Sequence, residues 1–325
     1  MLARAAENLY WMARYLERAE NTARLINSTT DVLLDLPHGA TLGWDTLIKV
    51  AGLDESFRKL YKTANEDAIM RFMIEDERNP SSILSCVKYA RENTRTLREL
   101  LPEALWERIN SLYLYLKDNA NQTLTSRRER YIVLQNVVAQ RHAIVGLISG
   151  VMAHDLAYQF IRLGRNIERA DMTTRILDIN FAVSIPKDMP LYEVSVERLW
   201  MSTLKALSAY QTYRRLKAVH VTGAGVIEFL INDERFPRSL EYCLKEAESC
   251  LQAMPFGGVV LSSVQSARMN LQRLNASDLD SGELHELLDV TQKELGLINS
   301  ALATQYFHAY DDPSKTSAVQ TQQQA

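Results

Sequence analysis

The sequence predicts an all-α fold, in the form of a multi-helix bundle built from two sequence-related halves. Apolar residues recur at helical spacing through long stretches, and no segment shows the alternation of a β-strand. The 12 Gly and 8 Pro among the 325 residues leave few interruptions for long helices. Because amphipathic helices must bury their apolar stripes against one another, we expect these helices to form a bundle.

Two pairs of matching segments indicate an internal duplication. Residues 14–25 return as residues 165–176, and both copies follow the pattern R-x-x-E-R-A-E/D-x-T-x-R-L/I. Residues 72–83 match residues 229–240 in the same order along the chain. A period this long is typical of a duplicated domain and not of a solenoid repeat.

The predicted organisation follows from these matches. A first helical half covers residues 1–151, a second helical half covers residues 152–308, and a tail covers residues 309–325. The tail is polar and rich in Gln, Ser and Thr, so we expect it to be disordered.

The first half is predicted to begin with one long helix over residues 2–34, because no Pro or Gly interrupts its apolar stripe before Pro37. A loop with Pro37 and Gly39 follows. Asn79 is expected to cap a helix that has Pro80 in its first turn, where the missing amide hydrogen is no loss. The other predicted elements are a helix over residues 44–61, an apolar segment that ends at Ile74, and helices over residues 80–100, 103–121 and 126–150.

The second half is predicted to repeat this order. Its first helix covers residues 154–182, Pro237 opens the counterpart of the helix at Pro80, and the last helix covers residues 282–308. The predicted interruptions of helices in this half are Pro190 and residues 223–225, 257–258 and 277–281.

Composition limits the classes of partner and the compartment. A net charge of −3 and a pI near 6.1 provide no field that attracts a polyanion, so we expect no nucleic-acid partner. Three cysteines, Cys86, Cys243 and Cys250, suit packed thiols in a reducing compartment. The apolar run at residues 143–153 is too short to span a bilayer, and the N-terminus lacks the apolar core of an export signal. We therefore expect a cytoplasmic protein without a membrane partner.

The repeated charged motif supplies the candidate site. Adjacent Glu17 and Arg18 point about 100° apart on a helix, so they must reach different neighbours. We expect the two motif helices to face each other around a pseudo-twofold axis. Glu17 would then meet Arg169 or Arg175, and Glu168 would meet Arg18 or Arg24.

Within each helix, four pairs of opposite charge stand at pairing distance. They are Arg14 with Glu17, Arg165 with Glu168, Glu20 with Arg24, and Asp171 with Arg175. The candidate residues are Arg14, Glu17, Arg18, Glu20, Arg24, Arg165, Glu168, Arg169, Asp171, Arg175 and Arg238.

Two interpretations of this motif stay open. It is either a structural ion network or a network that also lines an anion site, since guanidinium groups bind carboxylates and phosphates through paired hydrogen bonds. In the second case Glu17 and Glu168 hold the arginines in place or act as acid and base. Arg238 and Ser239 follow Pro237 at a helix start, where helix capping is the main interpretation and anion binding the lesser one.

The sequence contains none of the familiar motifs for metal-dependent catalysis or nucleotide binding. The E-x-x-H pairs of di-iron bundles and the H-E-x-x-H motif do not occur, and Gly223 and Gly225 lack the context of a nucleotide loop. His285, Glu286 and Asp289 are better explained as a solvated helix face than as metal ligands. We therefore predict no metal and no cofactor, and we assign no catalytic residue.

The duplicated E-R-A motif in an all-helical chain resembles the Alpha-E family of bacterial proteins. The residues that carry the resemblance are 163–170, with the sequence LGRNIERA, and 236–239, with the sequence FPRS; it extends over residues 1–308. Genes of this family lie beside, or are fused to, genes for circularly permuted ATP-grasp ligases and transglutaminase-like peptidases. The resemblance therefore implies a part in making or processing a peptide or amide-linked product.

Two functions remain as hypotheses. The first is an accessory helical subunit that binds an ATP-grasp ligase or its peptide substrate. The second is an enzyme that acts on a peptide or amino-acid carboxylate, with Glu17 or Glu168 as acid and base and the arginines as an anion clamp.

Overall fold

Helices form the described part of the chain, as a computed structural model shows for residues 1–35, 42–182, 188, 192–273 and 281–307. These residues contain fourteen α-helices and no β-strand, so the all-α prediction is confirmed. The predicted loop at Pro37 and Gly39, the break at Pro190, most of the break at residues 277–281 and the tail at residues 309–325 lie outside the described residues.

Seven of the described α-helices precede residue 152. They are α1 (Ala3–Asp35), α2 (Asp45–Val50), α3 (Asp54–Leu60), α4 (Glu66–Ile74), α5 (Ile83–Arg95), α6 (Glu103–Asn119) and α7 (Arg127–Val151), with a 3-10 helix at Ala120–Leu124.

Seven more described α-helices follow. They are α8 (Leu156–Ala182), α9 (Tyr192–Ala206), α10 (Tyr210–Leu216), α11 (Gly223–Asn232), α12 (Leu240–Gln252), α13 (Gly258–Gln272) and α14 (Ser281–Leu302), which a π-helix at Ala303–Phe307 continues. The division of the chain into two related halves stays a prediction.

The long helices α1 and α8 pack against each other, with α5 and α7 against α1 and α12 against α8. The backbones of α1 and α8 approach each other closely at Gly164 of α8. A Cβ atom on this glycine would lie 2.4 Å from the carbonyl oxygen of Tyr10 and 3.2 Å from its ring. Since Tyr10 is fully buried, neither atom has room to move aside. Gly164 therefore sets the distance between the two central helices.

The predicted single helix over residues 44–61 is wrong, because the chain forms the two short helices α2 and α3. Gly52 lies between them with φ +70°, a left-handed conformation that interrupts a helix and favours glycine. A Cβ atom there would lie 2.9 Å from Nη1 of Arg175, which donates to the carbonyl oxygen of Val50. The turn thus places the carbonyl oxygen of Val50 within hydrogen-bond distance of Arg175, a residue of the repeated motif. The apolar segment that ends at Ile74 is the helix α4.

The predicted helix starts at Pro80 and Pro237 are also wrong, because the caps are serines two residues later. Ser82 and Ser239 accept hydrogen bonds from the backbone amides of Ser85 and Tyr242. Asn79 is instead used in the preceding turn, where its side chain bonds Ser81 N and Phe72 O.

Other boundaries also differ from the predicted ones. The first of these two helices ends at Arg95 and not near residue 100. The predicted break at residues 223–225 is wrong, since these residues form the first turn of α11 behind the cap Thr222. The break at residues 257–258 is found at the start of α13.

Helix α7 is the one helix among the described residues whose length and composition would allow it to cross a membrane, with a mean hydropathy of 1.2 over its most apolar window. Its buried side chains include Arg130 and Arg141, which form ion pairs with Glu66 and Glu17. One face of α7 therefore packs against protein.

Replacing Gly164 tests whether the close approach of α1 and α8 holds the core together. Gly164→Ala is expected to destabilise the protein by about 1–3 kcal/mol, because the new methyl group meets the backbone of Tyr10 and the helices must separate. The measurement is urea denaturation followed by circular dichroism.

The matched control is Gly146→Ala in α7, an exposed glycine with no atom within 4 Å of the added Cβ. This change is expected to stabilise the protein by about 0.5–1 kcal/mol through helix propensity alone. Equal, stabilising effects of both changes would contradict the close approach.

Candidate anion-binding site

Glu168 of α8 is held by two arginines of α1. It accepts hydrogen bonds from Nε of Arg14 at 2.6 Å, and from Nε and Nη2 of Arg18 at 2.6 and 3.2 Å. The predicted pairing with Arg18 is confirmed. The alternative partner Arg24 lies elsewhere, because it forms an ion pair with Glu20 on its own helix.

Glu17 makes the reciprocal contact, with its carboxylate on α1 and its arginine partners outside that helix. It accepts from Nε and Nη2 of Arg169 on α8, at 2.8 and 3.1 Å. Nη2 of Arg141 on α7 donates at 2.9 Å, and Nη1 of Arg238 donates at 3.1 Å. The predicted pairing with Arg169 is confirmed, and Arg175 instead pairs with Asp171.

The expected pairs three residues apart are wrong. Arg14 reaches across to Glu168 and not to Glu17, and Arg165 forms no ion pair with Glu168. The two expected pairs four residues apart, Glu20 with Arg24 and Asp171 with Arg175, do form.

Both motif carboxylates are fully buried and stay ionised. Burial by itself raises the pKa of Glu17, but the positive charges of Arg169, Arg238 and Arg141 outweigh it and bring the pKa to about 2. The pKa of Glu168 is likewise raised by burial and lowered by Arg18 and Arg14, again to about 2. A buried carboxylate tolerates this environment only with such complete pairing.

A cavity of about 250 Å³ opens beside Glu168. Helices α1, α8 and α14 and the turn between α2 and α3 contribute its walls. Three arginines line it together with the carboxylates of Glu168 and Asp171; they are Arg14, Arg18 and Arg175. The apolar part of the wall includes Trp11, Met172 and Leu295.

Arg14 keeps a donor available to this cavity. Its Nε donates to Glu168 and its Nη1 to Asn299 at 2.9 Å, while its Nη2 has no hydrogen-bond partner among the described residues. The guanidinium lies 5.1 Å from the ring of Trp11, an arrangement that holds the cation by cation–π attraction. The cavity therefore has a fixed cationic wall.

Arg238 completes the network and does not form a helix-terminus anion site. Its guanidinium donates to Glu17, to Asn21 at 2.8 Å and to Glu20 at 2.6 Å. Ser239, the next residue, caps α12. The segment therefore caps a helix, as the main interpretation of its sequence predicts.

Several site residues escaped the sequence analysis. Arg141 lies on the buried stripe of α7, four residues after Val137 and three before Ile144, and a lone arginine at such a spacing is a signal for an internal ion pair. Trp11, Gln292 and Asn299 also line the cavity but had no such signal, because nothing local distinguishes them from ordinary core or surface positions.

Among the described residues, the other reactive side chains form no metal centre and no cluster of nucleophile and base. Burial raises the pKa of the Cys86 and Cys243 thiols to about 12, so both act as packed side chains. His285 pairs with Asp178 at 2.7 Å. Within the described ranges, no group of three or more His, Cys, Asp or Glu residues could hold a metal ion.

Acid is expected to destabilise the protein, because protonation of Glu17 and Glu168 removes the negative charges of this network. The pKa of Glu17 and of Glu168 is about 2 in the folded chain and close to 4.5 when unfolded, so their stabilisation is present above pH 4.5 and is lost as the pH falls toward 2. Each carboxylate contributes on the order of 3 kcal/mol to this loss. Urea denaturation at a series of pH values measures it.

The control is Glu168→Gln, which cannot be protonated at this position. It should be less stable at pH 7 by about 3–5 kcal/mol, because Arg14 and Arg18 lose their counter-charge, and its stability should change less between pH 4.5 and 2. Identical pH dependence of the two proteins would argue against the pairing.

Comparison with known proteins identifies related chains. The sequence is 24% identical to the uncharacterized protein Mb2597 of Mycobacterium bovis in an alignment of 273 positions that covers 78% of this chain and 30% of that protein. The uncharacterized protein Rv2567 of Mycobacterium tuberculosis matches with the same identity and coverage. The chain thus spans about 30% of the length of the curated relatives it matches. No solved structure matches it.

The family assignment is direct. Residues 1–307 match Alpha-E, described as a predicted alpha-helical domain with a conserved ER motif. Glu17 with Arg18 and Glu168 with Arg169 are the E-R pairs of the repeated E-R-A motif, and both lie in the central ion network. The chain therefore belongs to the Alpha-E family.

Proposed function

We propose that the chain is a binding subunit that holds a carboxylate-bearing ligand for a peptide-forming or peptide-processing system. The observation that carries this proposal is the arginine-lined cavity, in which Arg14 has a donor without a protein partner. The network around Glu168 fixes that arginine before any ligand arrives, so little order has to be created on binding.

The chemistry of the cavity favours a small anion with an apolar part. Three arginines face two carboxylates, and a ligand carboxylate would balance the remaining charge through charge-assisted hydrogen bonds. Trp11, Met172 and Leu295 offer contact to an apolar side chain. At about 250 Å³ the cavity lies just below the roughly 300–1,000 Å³ of drug-sized sites, which suits an amino acid or the C-terminal residue of a peptide.

Acid–base catalysis by the motif glutamates is the weaker alternative. An efficient general acid or base has a pKa near the working pH, whereas the pKa of Glu17 and of Glu168 is about 2. Each carboxylate also accepts hydrogen bonds from two or more arginines. The glutamates are better suited to position the arginines than to move protons.

The proposed partners are a circularly permuted ATP-grasp protein and a transglutaminase-like protein. Membership of the Alpha-E family supports them, because of the gene context that the resemblance implies. The mycobacterial relatives give further support, since the match takes only 30% of their length and leaves room for other domains.

Co-elution of this chain with an ATP-grasp protein of the same organism in size-exclusion chromatography would support the pairing; separate elution would contradict it. The three free thiols fit a cytoplasmic location for the complex.

We further infer that the two halves of the chain arose by duplication. The crossed contacts support this, because Arg18 bonds Glu168 through Nε and Nη2 and Arg169 bonds Glu17 through the same two atoms. The environments of the two carboxylates differ beyond these contacts, so the halves need not bind the same ligand.

Ligand binding at the cavity is tested with common amino acids and dipeptides, each compared with its C-terminal amide. We expect free-carboxylate forms to raise the melting temperature and to bind about tenfold or more tightly than the amides, because a charge-assisted hydrogen bond contributes about 1.5–3 kcal/mol. Isothermal titration calorimetry gives the affinities.

Two variants of α14 control for the place of binding. Gln292→Glu adds a negative charge to the cavity wall and should weaken binding, whereas Lys293→Gln changes the net charge equally at an exposed neighbour that does not line the cavity. Equal binding by the two variants, or equal affinity for acids and amides, would contradict the proposal.

A further inference from the structure

The carboxylate of Glu17 lies in a group of arginines that is separate from the cavity. This second arginine cluster consists of Arg141 of α7, Arg165 and Arg169 of α8, and Arg238 before α12. None of the four lines the cavity beside Glu168. The cluster is therefore a distinct place at which the protein could meet an anion.

Buried donors of the cluster have no acceptor. Arg141 is 2% exposed, and only its Nη2 is bonded, to Glu17; its Nε and Nη1 are buried without a partner among the described residues. Arg165 forms no hydrogen bond or ion pair within the described chain, and its Nε is buried as well. The amide nitrogen of Asn21, beside Arg238, is a fourth buried donor without an acceptor.

Such donors are rare in folded proteins, because burial removes their hydration and nothing replaces it. A guanidinium carries five N–H donors and no acceptor, and no acceptor of the described chain reaches these donors of Arg141 and Arg165, so an acceptor from outside the chain has to satisfy them. The buried donors of Arg141 and Arg165 therefore point to a ligand rich in oxygen atoms.

The charge around Glu17 leads to the same conclusion. With Arg24, five arginines surround the two carboxylates of Glu17 and Glu20, and four of the five form ion pairs with them. The pKa of Arg141, Arg165 and Arg238 is lowered, because burial and the neighbouring arginines outweigh the nearby carboxylates; only Arg169, which Glu17 holds through two atoms, has a raised pKa among the four arginines of the cluster. Beside Glu168 the outcome is opposite, since the pKa of Arg14 and Arg18 is raised by their carboxylate in spite of burial. The cluster lacks negative charge that the cavity side has.

We propose that the second arginine cluster binds a phosphate group, as inorganic phosphate or as a phosphate ester, with Arg141 and Arg165 as its main ligands. A phosphate carries more charge and more acceptor oxygens than a carboxylate, which matches the number of unpaired donors. Arg165 is partly exposed, so the anion can enter on its side of the cluster. This site and the cavity are independent, and either can exist without the other.

The test uses the full chain, inorganic phosphate as the probe and chloride to hold ionic strength constant. Phosphate is expected to raise the melting temperature of the unmodified protein, and acetate at equal ionic strength should have a much smaller effect. Arg165→Gln removes a part-buried cation that has no ion-pair partner in the described chain, so it should be as stable as the unmodified protein without phosphate and bind phosphate at least tenfold more weakly in calorimetry.

A matched control and a second variant separate binding from folding. Arg162→Gln, one turn earlier on α8, breaks an ion pair with Glu246 and should lower the melting temperature without changing the response to phosphate. Arg165→Glu supplies negative charge from the chain itself. It should raise the melting temperature without phosphate and abolish the response.

The outcomes are distinct. An unchanged phosphate response in Arg165→Gln, or acetate as effective as phosphate, overturns the proposal. Loss of stability in both Arg165 variants without phosphate also overturns it, because Arg165 would then be structural. Glycerol phosphate that binds as tightly as phosphate assigns the site to esters, and binding of inorganic phosphate alone assigns it to the free ion. Loss of amino-acid or dipeptide binding at the cavity, tested with Gln292→Glu, bears only on the proposed function.

Discussion

The structure depends on two crossed ion pairs between its central helices. Glu17 of α1 is held by Arg169 of α8, and Glu168 of α8 is held by Arg18 and Arg14 of α1. Because both carboxylates are fully buried, each must be neutralised where it lies. A shift of one helix along the other would leave carboxylates and arginines unpaired in the core. The ion pairs therefore fix the register of α1 against α8, and Gly164 allows the close approach that the register requires.

The same network prepares the places where a ligand could bind. Holding Glu168 fixes Arg14 beside the cavity with one donor left over, and holding Glu17 gathers more arginines than the two nearby carboxylates can satisfy. A buried ion network seldom adds stability compared with an apolar core of equal volume. Its value here lies in rigid, cationic surfaces that are formed before a ligand arrives.

The helical class and two central contacts, Glu17 with Arg169 and Glu168 with Arg18, could be predicted from the sequence. Helical geometry alone shows that Glu17 and Arg18 cannot pair on their own helix. Sequence reasoning placed Arg14 wrongly, since the reach to Glu168 and Asn299 depends on how closely α1 and α8 pack. The helix caps were misassigned because Asn79 and Ser82 are both good capping residues; Asn79 is diverted by a hydrogen bond to Phe72 O, which the fold and not the local sequence provides. The cavity combines residues from α1 to α14, so no single segment could have shown it.

The crossed pairing is tested most directly by a double-mutant cycle on Arg18 and Glu168. Arg18→Met, Glu168→Leu and the double variant are compared by urea denaturation at neutral pH. Each single change removes one ion-pair partner of the remaining residue, whereas the double change removes both charges together. Arg14 loses Glu168 in the Glu168→Leu variant and in the double variant alike, so its effect cancels in the cycle. The account predicts that the double variant is about 2–3 kcal/mol more stable than the sum of the single effects would give. Additive effects, within about 0.5 kcal/mol, would contradict it.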